Sequence, residues 1–164
     1  MSETDATDSR TLRNALGCFG TGVTVVTTLD KDGGPVGLTA NSFTSVSLDP
    51  ELLLVCLSRQ SNSLRHFTAS NHFAVNVLHI GQKKTAQLFA TPGAPRFQDT
   101  PWEAWHAGVP ILSDSLANFE CAKYAEYDGG DHVILVGRVL RVRHDHDYDP
   151  LLYYRGAYRE LHFD

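Results

Sequence analysis

Two short stretches of this sequence concentrate the side chains best suited to hold a polar ligand. Gly37 to Pro50 carries five hydroxyls and an amide, with Thr39, Ala40, Asn41, Ser42 and Ser45 in its first part, and it runs into the apolar Leu52 to Leu57. Directly after that run comes Ser58-Arg-Gln-Ser-Asn-Ser63. Hydroxyls and amides at this density, without the Lys, Glu or Gly of a solvated loop, suit hydrogen bonds to the carbonyl and N–H edges of a heterocycle. Ser61, Asn62 and Ser63 precede a predicted helix, where unpaired backbone N–H groups and the helix dipole favour an anion such as phosphate. The same three residues also read as an ordinary helix cap, Ser and Asn being the commonest caps.

Because one stretch precedes the apolar run and the other follows it, a ligand with a heterocycle at one end and a phosphate at the other can be served by both. A flavin has that shape. Hydride transfer to it needs alignment and exclusion of water more than a titrating side chain. His132, after the glycine turn of Asp128-Gly-Gly-Asp-His132, is placed to hydrogen-bond a bound ring or developing negative charge. It also reads as a turn residue bonded to Asp131. Tyr154, Arg155 and Gly156, within Leu151 to Tyr158, can form a stacking wall over a nicotinamide, with Arg155 on its phosphates. The competing reading is a C-terminal strand that packs its tyrosines at a subunit interface.

Other features point away from other chemistries. There is no GxSxG elbow, no P-loop and no GxGxxG. The glycines of Gly17 to Gly22 follow a predicted helix rather than a strand, so they stop that helix instead of cradling a dinucleotide. His144 to Asp149 mixes ligand and acidic residues in a loop and reads as solvated, and Trp102, Trp105 and His106 read as packing, so no metal site is expected. Cys18, Cys56 and Cys121 are an odd number without CxxC spacing and are expected to be small buried hydrophobes. A formal net charge of −5 and no basic run argue against a nucleic-acid partner. With 164 residues, 42% hydrophobic, the chain is long enough for one self-supporting domain, expected over residues 9–164 behind a flexible 1–8. No apolar run approaches the roughly 20 residues that span a bilayer, and no signal peptide is evident, so a cytoplasmic protein with no membrane partner is expected.

The elements that must position these groups follow from patterning. Asp8 or Ser9 is expected to cap a helix through Leu12, Leu16 and Phe19. Val23 to Leu29 is rich in β-branched residues and predicts a strand, with Asp30 to Gly34 as a hairpin turn into Pro35 to Thr39. Leu52 to Leu57, apolar on both sides, predicts a central strand. Helices are expected from Leu64 to Ala69 and Lys83 to Phe89, a strand at Phe73 to Leu78, and a long excursion between Thr91 and Pro110. Strands near Ala117 to Tyr127, His132 to Val142 and Leu151 to Tyr154 complete a mostly β chain. Many hairpin connections and short helices favour an antiparallel barrel over a doubly wound parallel sheet.

Taken in order, Gly20 to Thr27, Gly37 to Pro50, Ser61 to Ser63, Gly130 to His132 and Tyr153 to Gly156 resemble the short-chain flavin reductases of two-component flavin monooxygenases, from about Leu12 to Leu161. The resemblance implies an antiparallel split β-barrel homodimer of Greek-key type. Such a protein uses NADH or NADPH to reduce FMN or FAD and passes the reduced flavin to an oxygenase component. It assigns Thr39, Ala40, Asn41, Ser42 and Ser45 to the flavin ring and ribityl chain. Cys56, Leu57, Ser58, Ser61, Asn62 and Ser63 are assigned to the ring edge and phosphate. It turns His132, Tyr154, Arg155 and Gly156 toward the nicotinamide, with His132 as the catalytic residue, and adds Phe89 and Arg96 as further cofactor contacts, Arg96 on a phosphate. A non-catalytic flavin sensor or carrier on the same barrel is the alternative.

Overall fold

The computed structural model describes residues 3, 5–145 and 147–162. Of the expected flexible stretch 1–8, Met1, Ser2 and Thr4 lie outside the described residues, while Asp8 N–H donates to the Asp5 carbonyl at 3.1 Å. Asp8 caps helix α1 (Ser9–Leu16), its carboxylate accepting from Arg10 N–H, as the sequence predicts. The expected apolar face of α1 is present but buries nothing: Leu16 is 68% exposed and Phe19 79%.

Strands β1 (Thr21–Gly22), β2 (Thr24–Leu29), β3 (Pro35–Ala40), β4 (Thr44–Leu48) and β5 (Glu51–Ser58) follow, then helix α2 (Leu64–Ala69), β6 (His72–Val77) and helix α3 (Lys83–Ala90). The chain continues through β7 (Trp102–Ala104), β8 (Pro110–Leu112), β9 (Ala117–Gly129), β10 (His132–His144), β11 (Leu152–Tyr154) and β12 (Ala157–Arg159). Seven strands form one antiparallel sheet in the order β3-β2-β6-β9-β10-β5-β4, beside a small β1-β11-β12 sheet and the β7-β8 pair. Every pairing is antiparallel, the split-barrel class read from the sequence.

The sheet curls around a core to which β2, β5, β6, β9 and β10 all contribute: Val26, Leu53, Val55, Leu57, Phe73, Val75, Cys121 and Leu135, with Phe67 of α2. β3, at one edge of the sheet, approaches β5, next to the other edge, without pairing with it. Asn41 to Phe43 cross that gap to start β4, so the opening of the barrel is lined by the polar stretch.

Two expectations change. β5 is not central but second from the edge, and its burial alternates strictly, with Leu53, Val55 and Leu57 inside and Leu52, Leu54 and Cys56 half-exposed. Its outer face is apolar yet only partly buried. The Gly37 to Pro50 stretch is no loop throughout, since Thr44–Leu48 pair with β5 across a bulge at Ser45/Ser47. The excursion between Thr91 and Pro110 is mostly exposed but is anchored, by Arg96 donating to Gly37 O and by the burial of Val109 and Pro110 at its end. Asn76 and Asn118 on the outer face of β6 and β9 bind Leu112, and Ile111 is fully buried.

Candidate functional site

A hollow of about 940 Å³ opens at the gap between β3 and β5. That is toward the upper end of the roughly 300–1,000 Å³ typical of small-molecule sites. Of the residues singled out from the sequence, Thr39, Ala40, Asn41, Ser42, Cys56, Ser58, Ser61, Asn62, Ser63, Phe89, Arg96 and His132 line it together. The convergence has a local cause. β3 delivers Thr39 to its rim, β5 ends at Ser58, and the β5–β10 register sets His132 opposite Ser58.

Much of the hydroxyl density proves to build the rim. Ser42 Oγ donates to the Cys56 carbonyl at 2.7 Å and accepts from Cys56 N–H at 3.0 Å, replacing a strand partner where β4 has not yet begun. Thr39 Oγ1 donates to Ala86 O of α3 at 2.6 Å. We therefore expect Ser42→Ala to lose about 1–3 kcal/mol of stability, the cost of stranding two half-buried backbone groups, readable as a lower melting temperature. Asn41 differs: its amide makes no hydrogen bond among the described residues, and it lies exposed on the rim.

On the other side of β5, Gln60 N–H donates to Ser58 Oγ and Ser63 N–H to Ser61 Oγ, at 3.2 and 3.3 Å. Each serine hydroxyl keeps its own hydrogen for a ligand. The backbone N–H of Asn62 has no partner among the described residues. Ser63 sits at the N-cap of α2 without a capping side-chain bond, so the capping reading fails for its hydroxyl.

His132 is held at one ring nitrogen and faces the hollow. Its Nδ1 lies 2.7 Å from Asp131 Oδ1, the turn contact expected from the sequence, and it also lines the hollow. That hydrogen bond, then the charge of His132, keeps the Asp131 carboxyl below the ordinary carboxylate range. Arg59 fastens the turn that carries both residues. Its backbone N–H donates to Asp131 O at 2.9 Å, Nε to Gly130 O at 2.9 Å and a terminal nitrogen to Asp128 Oδ1 at 2.6 Å. Gly130 takes φ 73°, which favours glycine in the tight turn. The Ser58–Ser63 segment and the His132 turn are thus one hydrogen-bonded unit.

Phe89, fully buried, floors the hollow and meets Phe97 edge-on at 5.0 Å. β3 rests on this ring only because residue 37 is glycine; a Cβ there would lie 2.8 Å from Phe89 Cε1. Arg96 donates to Gly37 O at 2.6 Å and Thr91 O at 3.1 Å, tying the 91–98 loop to β3, and burial lowers its pKa. Burial raises the Cys56 thiol, so this cysteine shapes the wall rather than attacking a ligand.

Five expected residues are not on this lining. Leu57 points into the core at 1% exposure, and Ser45 is exposed on the edge strand β4. Tyr154 lies in the small sheet, and Arg155 and Gly156 form the turn of the β11–β12 hairpin at φ 50° and 76°. There Arg155 N–H donates to Gly17 O at 3.0 Å, and the Arg155 guanidinium sits 5.1 Å from the Tyr154 ring centre. Conversely, Pro92 to Pro95, Phe97, Gln98, Arg65 and His66 enter the lining unannounced. The prolines and glycine of 92–95 gave a loop signal without saying which face it covers. Among the described residues no group of His, Cys, Asp or Glu is arranged to hold a metal ion.

This geometry can be set beside known proteins. The flavin reductase like domain model matches residues 16–162. The reductase component of a flavin-dependent trigonelline monooxygenase from Acinetobacter baylyi (strain ATCC 33305 / BD413 / ADP1) is 46% identical, the match covering 96% of this chain and 51% of that protein. FMN reductase (NADH) SmoA of Agrobacterium fabrum (strain C58 / ATCC 33970) is also 46% identical, over 92% of this chain and 85% of its own. The solved structure of the Streptomyces globisporus C-1027 NADH:FAD oxidoreductase SgcE6, in complex with NAD and FAD fragments, superposes with a TM-score of 0.93 at 38% identity, covering 100% of this chain and 99% of that one. The chain spans about half the length of the Acinetobacter protein, as it does of a probable flavin reductase from Rhizobium meliloti (strain 1021). A family match running from the end of α1 to the end of the described chain, on the fold whose gap gathers these groups, settles the kinship: the chain belongs to the flavin reductase like domain family.

Proposed function

We propose that this chain is an NAD(P)H-dependent flavin reductase that supplies reduced FMN or FAD to an oxygenase component. The observation that carries the reading is the 940 Å³ hollow in which Asn41 and the Ser58–Ser63 unit face one another across the end of β5, with His132 beside them. The fit to a flavin rests on this chain's own atoms. Asn41 and Asn62 N–H retain unused hydrogen-bonding capacity, Ser58 and Ser61 keep free hydroxyl hydrogens, and the hollow has room for a ring and a second planar group.

A bound flavin supplies the hydride acceptor. In the proposal Thr39, Ala40, Asn41 and Ser42 frame the ring side, while Cys56, Ser58, Ser61, Asn62 and Ser63 frame the edge and phosphate; Ser45 and Leu57 stay assigned to the flavin on family likeness alone. Phe89 and Arg96 hold the floor and the loop, and His132 orients the nicotinamide. Tyr154, Arg155 and Gly156 stay assigned to the nicotinamide on family likeness alone. Asn41→Ala is accordingly expected to weaken flavin binding about five- to tenfold, one hydrogen bond being worth roughly 1 kcal/mol, with an unchanged melting temperature. That is the reverse of Ser42→Ala, whose first effect is on stability.

Arg59 supplies a further check. Arg59→Ala frees the His132 turn from the Ser58–Ser63 segment and is expected to lower kcat about tenfold with a KM for NADH changed less than about twofold, the pattern of lost alignment. Arg59→Lys restores charge toward Asp128 but not the fork that also reaches Gly130 O, and recovers only part of the rate. Equal losses in both variants, confined to thermal stability, would show that the clamp serves folding alone.

The assembly reading is a homodimer. It is supported by apolar side chains left on the surface: Leu16, Phe19, Leu48 at 91% exposure, and Tyr124, Tyr127, Leu140 and Val142 on β9 and β10. We also propose that residues 9–164 act as one domain and that the enzyme works in the cytoplasm, where nicotinamide donors are available. Among the described residues, no helix is long and apolar enough to cross a membrane.

The test is oxidation of NADH or NADPH by the pure protein with FMN or FAD. Flavin-dependent turnover in at least one of the four combinations is expected. No turnover in any of them overturns the reading, and binding without turnover would mark a flavin carrier instead.

A further inference from the structure

One wall of the hollow is lightly attached. Every residue from Pro92 to Gln98 contributes to the lining, yet the backbone hydrogen bonds of this segment are local. Thr91 N–H donates to Leu88 O at 3.3 Å, Ala94 N–H to Thr91 O at 3.4 Å, Arg96 N–H to Ala94 O at 2.9 Å and Gln98 N–H to Pro95 O at 3.3 Å. None of these bonds reaches the sheet. Pro92, Gly93, Pro95 and Gln98 are exposed, and Gly93 takes φ 72°, a turn that favours glycine.

Two side chains tie the segment down. Phe97 meets Phe89 and Trp102 edge-on, with ring centres 5.0 and 6.4 Å away. Arg96 makes the polar tie: one terminal nitrogen donates at 2.6 Å to Gly37 O on the edge strand β3, and the other at 3.1 Å to Thr91 O, where the segment begins. Both arms of its planar fork are thus engaged by backbone carbonyls. A segment with few bonds to the body of the fold and little buried apolar surface opens at a low cost in free energy.

From this arrangement we infer that Pro92 to Gln98 form a strap over the flavin site and that Arg96 is its latch, a positioning residue that sets how long a flavin stays bound. The inference rests on the reading of the hollow as the flavin site. It gives Arg96 a role different from the phosphate contact that family likeness implies. The guanidinium acts on Gly37 and Thr91, and through the strap on any flavin, with or without a phosphate. For a protein that hands reduced flavin to a second component, release is a step of the reaction, and such steps set many turnover rates.

The experiment measures release of FMN, and of riboflavin, which has the same ring and ribityl chain without the phosphate, by stopped-flow fluorescence on dilution. Arg96→Ala is expected to speed release of both about tenfold, the scale of one or two lost hydrogen bonds. Arg96→Lys, which replaces the fork by one ammonium, is expected to recover part of the difference. Acceleration confined to FMN makes Arg96 a phosphate ligand and overturns the inference, as does unchanged release of both. A second measurement needs only the wild-type protein and decides the matter where Arg96→Ala fails to fold or riboflavin is not retained. Trypsin cleavage after Arg96 is expected to slow at least about threefold with FMN bound, relative to cleavage after Arg13 on α1, a helix that buries no residue. Equal relative rates with and without FMN overturn the inference. A wild-type protein that binds neither flavin removes the flavin-site reading itself, and this inference with it.

Discussion

Asn76→Ala is expected to be among the most destabilising single substitutions in this chain, lowering stability by about 3–5 kcal/mol, the range of a broken buried hydrogen-bond network. Asn76 is fully buried, and both ends of its amide are engaged. Its Nδ2 donates to Val25 O at 3.0 Å and Thr27 Oγ1 at 3.2 Å, while its Oδ1 accepts from Leu112 N–H at 2.9 Å and Asn118 Nδ2 at 2.8 Å. One side chain thereby joins β6 to β2, β8 and β9, and an amide has no further capacity to offer. Truncation strands several buried polar groups at once, in a place where water does not reach them. For a domain of this size a loss of 1 kcal/mol lowers the melting temperature by roughly 2–4 °C, so a drop of about 6–20 °C by circular dichroism is expected. A drop under about 2 °C would mean that the network contributes little beyond filling space.

The second large effect is kinetic. His132→Ala is expected to slow reduction of bound flavin by NADH at least about tenfold, below the roughly 10²–10⁴-fold typical of a proton-transferring residue because an orienting role removes alignment only. Flavin affinity is expected to change less than about twofold. The geometry gives the reason: the β5–β10 register sets His132 across from Ser58, Asp131 fixes its ring through Nδ1, and Arg59 holds the turn below it. Stopped-flow bleaching of the flavin reads the step directly. An unchanged reduction rate would remove His132 from the reaction and leave it as the turn residue its bond to Asp131 also permits.

How far the sequence carries can be traced residue by residue. The β-branched run of β2, the Asp8 cap and the glycine turn before His132 are local signals, and each is found where patterning puts it. The position of β5 in its sheet was not legible. An alternating strand whose outward residues are also apolar reads like a strand covered on both faces, and only the register to β4 and β10 distinguishes them. β4 was hidden because its Val46/Leu48 alternation is only two residues long and lies within a stretch read for its hydroxyls, on a mostly exposed edge.

The same limit applies to the site. The density of hydroxyls marked the right segment, but its cause is mixed: Ser42 and Thr39 hold the backbone together, while Asn41 and Ser58 retain capacity for a ligand. Composition cannot separate these, since the difference lies in which carbonyl happens to be within reach. Nor could it show that Arg59, a surface arginine by pattern, reaches 69 residues ahead to Asp128. Tyr154, Arg155 and Gly156 illustrate the opposite case, a motif recognised by order and spacing whose hairpin rests beside Gly17 rather than on the cavity wall.

The central claim is that the flavin ring sits at the open gap of the barrel, between Asn41 on one side and Ser58 to Ser63 on the other. A crystal structure of the protein with FAD tests it most directly. The account predicts ring density in that gap, against the end of β5 and within reach of His132; ring density seated at any other surface would contradict it.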